Sequence, residues 1–347
     1  MSNPVNGASY DFSWDFDFDL SPPSVDELLA LTPKPAHRPR RILLLSDVHG
    51  NWHALVAVIQ AAAGRYDSIV FLGDAVGYGP RPLECVEYLL RAVPAARWRA
   101  GNHDLGVFGY MDGIGWSGNA AFTLTAHRWM LDGNRALQAD FRRLVAPHKG
   151  GPLLRSYGRC QQVLTHANLE NDMETYLFPR GLFAKTGNNL LRLRNYVSQP
   201  APCAWLLVGH THVPCLFRLP VQDTSTEDIA VMSVPYGQPI PVGDGHYMIN
   251  PGSVGQPRDG NRDAAYALLD VQELTVEFGR VRYDDVAVAQ EMNAAYEPER
   301  ARSLIQLLQN AGTAKTHLEL TPIYTVESWG LKANPVFGGR GVLDSTS

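Results

Sequence analysis

From Arg41 onward, the hydrophobic and polar positions alternate between two patterns. Short, almost wholly apolar runs such as RILLLS (41–46) and SIVFLG (68–73) predict buried strands. Between and after them, residues 52–64 and 82–93 repeat their apolar positions with the period of a helix, and Gly64 and Pro94 mark the ends. Alternating strands and helices predict an α/β domain in which part of the sheet is parallel.

The second half of the chain has a denser strand pattern. After residues 116–146, which we expect to be mostly helical, strand-like segments follow one another closely. They lie at 159–168, 203–212, 214–220, 228–235, 246–255, 264–271 and 274–284. Crowded strands joined by short turns predict a second, more antiparallel sheet. Residues 284–311 again have a helical pattern.

The two ends of the chain differ from this central part. Residues 1–40 alternate aromatic residues with aspartates and then become rich in proline, which favours a disordered acidic-aromatic arm over a strand. The alternative is a docking peptide for a partner, with the aromatic residues of 9–20 as anchors. Residues 312–347, rich in Gly, Thr and Ser, predict a C-terminal tail. We therefore expect one domain over 41–311, with a helical insertion near 105–150.

Composition narrows the functional classes. The chain has 347 residues, 45% of them hydrophobic, and a net charge of −5. This acidic balance argues against a nucleic-acid polymer or a membrane surface as partner. We see neither a secretory signal nor a run of 18 apolar residues. Four widely spaced cysteines, without a CxxC pair, predict buried and reduced thiols, and so a cytoplasmic protein.

Candidate metal ligands follow the predicted strands. Asp47 and His49 come directly after the first one, two residues apart. Further polar residues at the ends of apolar runs are Asp74, Asn102, His103, His166, His210 and His212. The crevice of an open α/β sheet lies at the carboxyl ends of its strands, so these residues are expected to meet.

Each of these histidines alone is most simply a structural residue, and Asp47 with His49 suits a buried salt pair as well as a metal ion. Burying several imidazoles and carboxylates together, however, is costly without a compensating charge. Imidazole, carboxylate and amide donors without thiolate suit two divalent ions, Mn, Fe or Zn, with Mn favoured. Two such ions about 3.5–4 Å apart, bridged by one carboxylate, bind both hydroxide and phosphate.

The blocks DVHGN, GDAVGYGP, GNHD, THAN and GHTH occur in this order. Together they resemble the calcineurin-like metallophosphoesterase superfamily over roughly residues 41–280. GDAVGYGPRPLECVEYLL and INPGSVGQPRDG are similar to its compact bacterial branch, which is related to diadenosine tetraphosphatases and serine/threonine phosphatases. The resemblance implies an α/β fold in which two mixed sheets pack as a sandwich with flanking helices.

The resemblance also implies roles for individual residues. Asp47, His49 and His212 are expected to hold one metal, Asp74 to bridge the two, and Asn102, His166 and His210 to hold the other. His103 is expected to protonate the leaving group while a metal-bridging hydroxide attacks phosphorus. The implied activity is hydrolysis of a small phosphomono- or diester, with nucleotide derivatives among the candidates.

The sequence departs from the serine/threonine phosphatases at two places. Gly77–Gly79 stand where those phosphatases have Asp-Arg-Gly, and Ala100 replaces an arginine before GNHD. The missing arginines disfavour a phosphoprotein phosphatase. A catalytically silent scaffold is a further alternative, but it is disfavoured because all the expected ligand and acid positions are filled.

Three other residues keep two interpretations each. Asp104 either orients His103 or is an ordinary capping residue. Arg258 either grips the phosphate, as its fork of donors suits, or lies in a surface loop. Tyr78 either lines the pocket or packs under its loop.

Overall fold

The structure is a computed structural model that describes most of the chain. The described residues are 21–111, 118–149, 152–157, 160–169, 173, 177, 189, 192–193, 203–219, 230–243 and 245–311. The expected docking segment 9–20 and the expected tail 312–347 lie outside them.

One mixed sheet forms the first layer. Its strands are β1 (Arg41–Leu45), β2 (Ser68–Phe71), β8 (Pro239–Pro241), β10 (Ala264–Asp270) and β11 (Thr275–Val281). They are ordered β2-β1-β10-β11-β8 across the sheet. As predicted, β1 and β2 are parallel, whereas the other pairs are antiparallel.

A second mixed sheet faces the first. Its strands are β3 (Leu153–Tyr157), β4 (Cys160–Leu164), β5 (Cys203–Leu207), β6 (Pro214–Leu219), β7 (Ala230–Met232) and β9 (Gly245–Pro251), in the order β3-β4-β5-β9-β6-β7. The expectation that this sheet is the more antiparallel one is wrong. Its central strands β4, β5 and β9 are parallel. The 38 residues between β4 and β5 are long enough for the crossover that a parallel pair requires.

Alternate side chains of β1 show how the layers pack. Ile42 and Leu44 lie in the apolar core between the two sheets, together with Trp205 of β5. Leu43 and Leu45 point the other way, into the core shared with the helices. The strand is therefore buried on both faces, which explains its uninterrupted apolar sequence.

The helices cover the outer face of the first sheet and follow the predicted pattern closely. The described ones are α1 (Val25–Ala30), α2 (Trp52–Ala62), α3 (Pro82–Ala92), α4 (Asn102–Gly106), α5 (Gly118–Gly133), α6 (Arg135–Val145), α7 (Asp285–Ala295) and α8 (Pro298–Asn310). Helices α5 and α6 lie in the segment 116–146, which was expected to be mostly helical. Within the described residues, no helix combines the length and the apolar character that a bilayer crossing requires.

The segment before GNHD contributes little to the first sheet. Residues Ala95–Arg97 form a 3₁₀ turn, and only Trp98 pairs with β2, through one bridge to Phe71. The chain leaves the sheet after that bridge because Gly101 caps α4, which begins at Asn102.

The expectation of disorder over residues 1–40 is wrong for residues 21–40. Ser24 and Glu27 form a capping box at the start of α1, and Leu28 is fully buried. The Trp52 indole N–H of α2 donates to the Pro23 carbonyl at 3.0 Å. These contacts join the segment to the helical layer, which the proline-rich composition did not reveal.

The expectation of four reduced thiols is also wrong in part. Cys160 and Cys203 are directly opposite on the parallel strands β4 and β5, with Cα atoms 4.9 Å apart, and form a disulfide. Cys85 and Cys215 are free and buried. The pairing escapes sequence reasoning because the register of the two strands creates it.

The burial of α1 can be tested by substitution. Leu28→Ala should lower the free energy of unfolding by about 2–5 kcal/mol, because it leaves a cavity in the core. The matched control is Leu31→Ala, since Leu31 is 47% exposed and its loss should change stability little. Urea unfolding monitors both variants, and equal effects would contradict the packing of this segment.

Candidate metal centre

The candidate ligands converge at the carboxyl ends of the central strands. The described residues contain two groups of ligand atoms, and the atoms within each group lie within 4.8 Å of one another. The first contains Asp47, His49, Asp74 and His212, and the second contains Asp74, His166 and His210. Every member is buried, and Asp74 belongs to both groups. The Asn102 amide joins the second group, since its Oδ1 lies 3.0 Å from His166 Nε2.

The loops after β1 and β2 run side by side and place the first ligands. The Asp47 N–H donates to the Gly73 carbonyl at 2.8 Å, and the His49 N–H donates to the Asp74 carbonyl at 2.9 Å. The two loops therefore continue the parallel pairing of their strands in irregular form. This pairing brings the two carboxylates to the same end of the sheet.

The backbone is strained at the candidate ligands. Five of them have a positive φ, between 51° and 65°, in the left-handed region. They are Asp47, His49, Asp74, His210 and His212. This conformation costs a non-glycine residue about 1–2 kcal/mol. Strain of this kind persists only where surrounding contacts enforce it, and it collects at functional sites.

Gly101 allows a close approach of the backbone to Asp74. A Cβ at this position would overlap the carboxylate of Asp74, whose Cγ would lie only 2.6 Å away. Only glycine therefore fits between α4 and Asp74. Its absent side chain lets the start of α4 contact that carboxylate directly.

Backbone carbonyls set the tautomers of three imidazoles. The Nδ1 atoms of His49, His166 and His212 lie 2.9, 2.8 and 2.5 Å from the carbonyl oxygens of Val76, Leu72 and Gln256. A carbonyl oxygen only accepts, so each Nδ1 carries a proton. In the neutral ring the Nε2 lone pair is then directed into the site, which is the arrangement of metal-bound histidine.

The lone pairs of His49 and His212 face each other, which indicates a site for a cation. His49 Nε2 and His212 Nε2 are 3.1 Å apart. Burial lowers the pKa of both rings well below its ordinary value, so both are neutral. Asp47 Oδ1 lies 3.2 Å from His212 Nε2, and none of the described residues donates a hydrogen bond to it. Two lone pairs and a buried carboxylate oxygen therefore face one another, which fits a divalent ion bound between them.

The second group has different electrostatics. His166 Nε2 lies 3.4 Å from Asp74 Oδ2. Burial lowers the pKa of His166, but the charge of Asp74 and its hydrogen bond outweigh it and raise the pKa to about 9. Without metal, His166 is therefore protonated at neutral pH, and a metal ion must displace that proton.

His103 lies beside the ligands at the start of α4. Its N–H donates to Asp74 Oδ1 at 2.8 Å, and its ring lies 4.8 Å from the ring of His49. Burial lowers the pKa of His103 to about 4, so the ring is neutral at pH 7. Proton donation from it requires the negative charge of a bound ester to raise that pKa.

The Asp104 carboxylate bonds to the backbone beside Asp74. Its carboxylate accepts hydrogen bonds from the N–H groups of Asp74, Ala75 and Gly101, at 2.8–3.0 Å. The His103 Nδ1 atom instead lies against Gly77, where a Cβ would overlap it. Asp104 thus caps α4, the alternative interpretation, and holds the backbone that carries Asp74.

Arg258 is a buried part of the site, so its interpretation as a surface-loop residue is wrong. It is 5% exposed, and its Nη2 donates to Gln256 Oε1 at 3.0 Å. Its positive charge contributes to the lowered pKa of both His103 and His212. A guanidinium at this place adds a donor fork for an anion beside the metal ligands.

Sequence reasoning missed the residues that fix Asp47. Asp47 Oδ2 accepts from the Ser46 hydroxyl at 2.5 Å and from the His210 N–H at 3.1 Å. The Ser253 hydroxyl donates to the Asp47 carbonyl at 2.7 Å. Ser46 was visible as the small residue at the end of its strand, whereas Ser253 reaches the site only through the packing of the loop after β9.

Comparison with known proteins gives a consistent family relationship. Residues 40–214, half of the chain, match the model of the calcineurin-like phosphoesterase family. An uncharacterised protein of Methanocaldococcus jannaschii is 31% identical over 251 residues, covering 70% of this chain and 88% of that protein.

Two further matches differ in extent. The crystal structure of a metallophosphoesterase from Sphaerobacter thermophilus superposes with a TM-score of 0.59 and 32% identity, covering 78% of this chain and 98% of that one. A symmetrical bis(5'-nucleosyl)-tetraphosphatase from Cronobacter sakazakii is 36% identical over 73 residues, only 20% of this chain and 26% of that enzyme. The first match supports the whole architecture, and the second a short part of the sequence.

The shared position of Asp74 can be tested by metal analysis. Asp74→Asn should reduce the binding of Mn at both groups, because the amide removes the charge common to them. The control Asp140→Asn changes an exposed carboxylate of α6 and should bind as the wild type does. Equilibrium dialysis with elemental analysis measures the stoichiometry, and full loss of one ion with normal binding of the other would contradict sharing.

Metal binding should release a proton from His166. Because its raised pKa of about 9 keeps the ring protonated below that value, apparent affinity at the second group should fall about ten-fold per pH unit from 8 to 6. Calorimetric titration with Mn near pH 7.5, in buffers of different ionisation enthalpy, counts the released protons. Identical heats in these buffers would contradict the displacement.

Proposed function

Because the chain belongs to the calcineurin-like phosphoesterase family, we propose that it hydrolyses small phosphate esters with two divalent metal ions. The observation that carries this proposal is the shared position of Asp74 between two buried groups of ligands. One carboxylate in common to both groups is what a two-metal hydrolase requires. A protein that used a single ion for stability would need only one of the groups.

When bound, the two ions supply a hydroxide at neutral pH and neutralise charge that develops on the phosphoryl oxygens. The chain itself supplies the remaining groups. Arg258 offers N–H donors to the oxygens of the ester, and His103 holds a proton near the leaving oxygen. Asp104 keeps the backbone of Asp74 in place, so that the carboxylate is directed at both groups.

Mn is the ion we propose first, on the donor set of imidazole, carboxylate and amide. We propose a small ester as substrate, and nucleoside phosphates belong in the screen. The short match to a symmetrical bis(5'-nucleosyl)-tetraphosphatase is the reason to include them. The missing arginines, one within Gly77–Gly79 and one at Ala100, make a phosphoprotein the weaker choice.

The proton-donor role of His103 predicts a dependence on the leaving group. His103→Ala should reduce kcat for phenyl phosphate by about 10²–10⁴-fold, but kcat for p-nitrophenyl phosphate much less, because p-nitrophenolate leaves without a proton. His37→Ala, at an exposed histidine, is the control. Steady-state kinetics with Mn measures both esters, and an equal loss for the two would contradict proton donation.

The class of activity needs a separate test. The wild-type protein with Mn should hydrolyse p-nitrophenyl phosphate or bis-p-nitrophenyl phosphate, and the ratio distinguishes monoesterase from diesterase activity. Removal of metal with a chelator should abolish the reaction, and added Mn should restore it. Tight binding of Mn without hydrolysis of either ester would favour the scaffold alternative.

A further inference from the structure

Tyr78 has an unusual backbone for an aromatic residue. Its φ is +61°, and the Gly79 N–H donates to the Gly77 carbonyl at 2.8 Å across it. This closes a γ-turn with positive φ at its centre, the rare and strained form of that turn. The same turn occurs at His210, a candidate metal ligand, where the Thr211 N–H donates to the Gly209 carbonyl at 2.7 Å.

The distribution of such strain connects Tyr78 with the site. Among the described residues, the non-glycine positions with positive φ are Asp47, His49, Asp74, Tyr78, His210, His212, Leu274 and Ala311. All of them apart from Leu274, Ala311 and Tyr78 are candidate metal ligands. Tyr78 thus shares a costly conformation with the ligands, although its phenol is not one of them. Strained backbone points to a functional demand on the side chain that it presents.

A dedicated set of hydrogen bonds holds this turn. His127 of α5 accepts from the Gly77 N–H at Nδ1, at 2.9 Å, and its Nε2 donates to the Gly79 carbonyl at 2.8 Å. The Tyr296 hydroxyl donates to the same carbonyl at 2.9 Å. His127 is fully buried and distant in sequence from every metal ligand. His127 of α5 therefore forms a hydrogen bond with each end of the turn.

The ring of Tyr78 extends from this turn to the edge of the site. Its centroid lies 4.8 Å from the ring of His49 and 4.9 Å from that of His103. Tyr78 is partly exposed, whereas His103 and Arg258 are at most 5% exposed. A partly exposed aromatic residue thus lies beside the proton donor.

We propose that Tyr78 contacts the leaving group of the substrate and selects esters with a flat, aromatic leaving group, while His127 and Tyr296 are positioning residues for it. This inference rests on the proposed function, because it uses His103 as the proton donor. An aromatic ring stacked on a flat group contributes about ten-fold or more to affinity. The selectivity should therefore be measurable by binding alone.

The test compares two phosphonates that differ only by the ring. Phenylphosphonate should bind the Mn-loaded protein about ten-fold more tightly than methylphosphonate, as measured by calorimetry. Tyr78→Gly should abolish this preference and leave methylphosphonate affinity unchanged. Glycine suits a positive φ, so the turn is expected to keep its shape. Tyr78→Phe is the matched control, which keeps the ring and should keep the preference.

The positioning role has its own variant. Tyr296→Phe removes only the hydroxyl that bonds to Gly79, so it should lower the preference for phenylphosphonate about two- to five-fold without changing methylphosphonate affinity. His127→Asn, which can still accept from the Gly77 N–H, should retain more of the preference than His127→Ala. A merely structural role would lower the melting temperature and leave the ratio of affinities unchanged.

The outcomes separate this inference from the proposed function. Hydrolysis of p-nitrophenyl phosphate and of bis-p-nitrophenyl phosphate is recorded on the same wild-type sample. Absence of hydrolysis of both esters would contradict the proposed function, while the affinity ratio would still decide the role of Tyr78. No preference for phenylphosphonate in the wild type, or a preference that survives in Tyr78→Gly, would overturn the inference.

Discussion

The structure depends on keeping two carboxylates and several imidazoles together at a place where their side chains are buried. Asp47 and Asp74 are at most 1% exposed, and the histidines around them are equally buried. Such a cluster is unfavourable unless a positive charge compensates it. His166 supplies part of that charge when it is protonated, but the facing Nε2 atoms of His49 and His212 do not. A pair of bound cations compensates the charge of the carboxylates and accepts the lone pairs of the facing Nε2 atoms. Metal ions are therefore central to this site.

The surrounding protein is arranged to hold this cluster under strain. Left-handed backbone occurs at the ligands themselves. The segments that carry them are fixed by hydrogen bonds that Ser46 and Ser253 donate and that Asp104 accepts. Two packed sheets supply the rigid base, since β1 is buried on both faces and its loop begins directly at Asp47. The free energy of this packing keeps the strained loops in one conformation. Tyr78 belongs to the same arrangement through its own strained turn.

Much of this could be predicted from local sequence. An apolar run that ends in a small residue and then Asp or His is visible without a structure, so the ligand positions and the strands before them could be identified. The placements that local sequence left open depend on distant partners. Asp104 bonds to backbone of the loop after β2, and Arg258 becomes buried only when its loop folds over the site. His127 pairs with a glycine fifty residues earlier, and nothing in its local sequence indicates that.

Dependence on distant partners also explains the errors in the predicted fold. Helix α1 is short, and its burial depends on helices that follow much later. The disulfide depends on the register between β4 and β5, and the parallel centre of the second sheet depends on a long connection. Local patterns predict the type of an element, whereas its neighbours are decided by tertiary packing.

The central claim is that two metal ions share Asp74. Electron paramagnetic resonance of the protein loaded with two equivalents of Mn tests it most directly, because ions bridged by one carboxylate couple their spins. We predict a spectrum of a coupled Mn pair in the wild-type protein. A spectrum of magnetically isolated Mn at full occupancy would contradict the account.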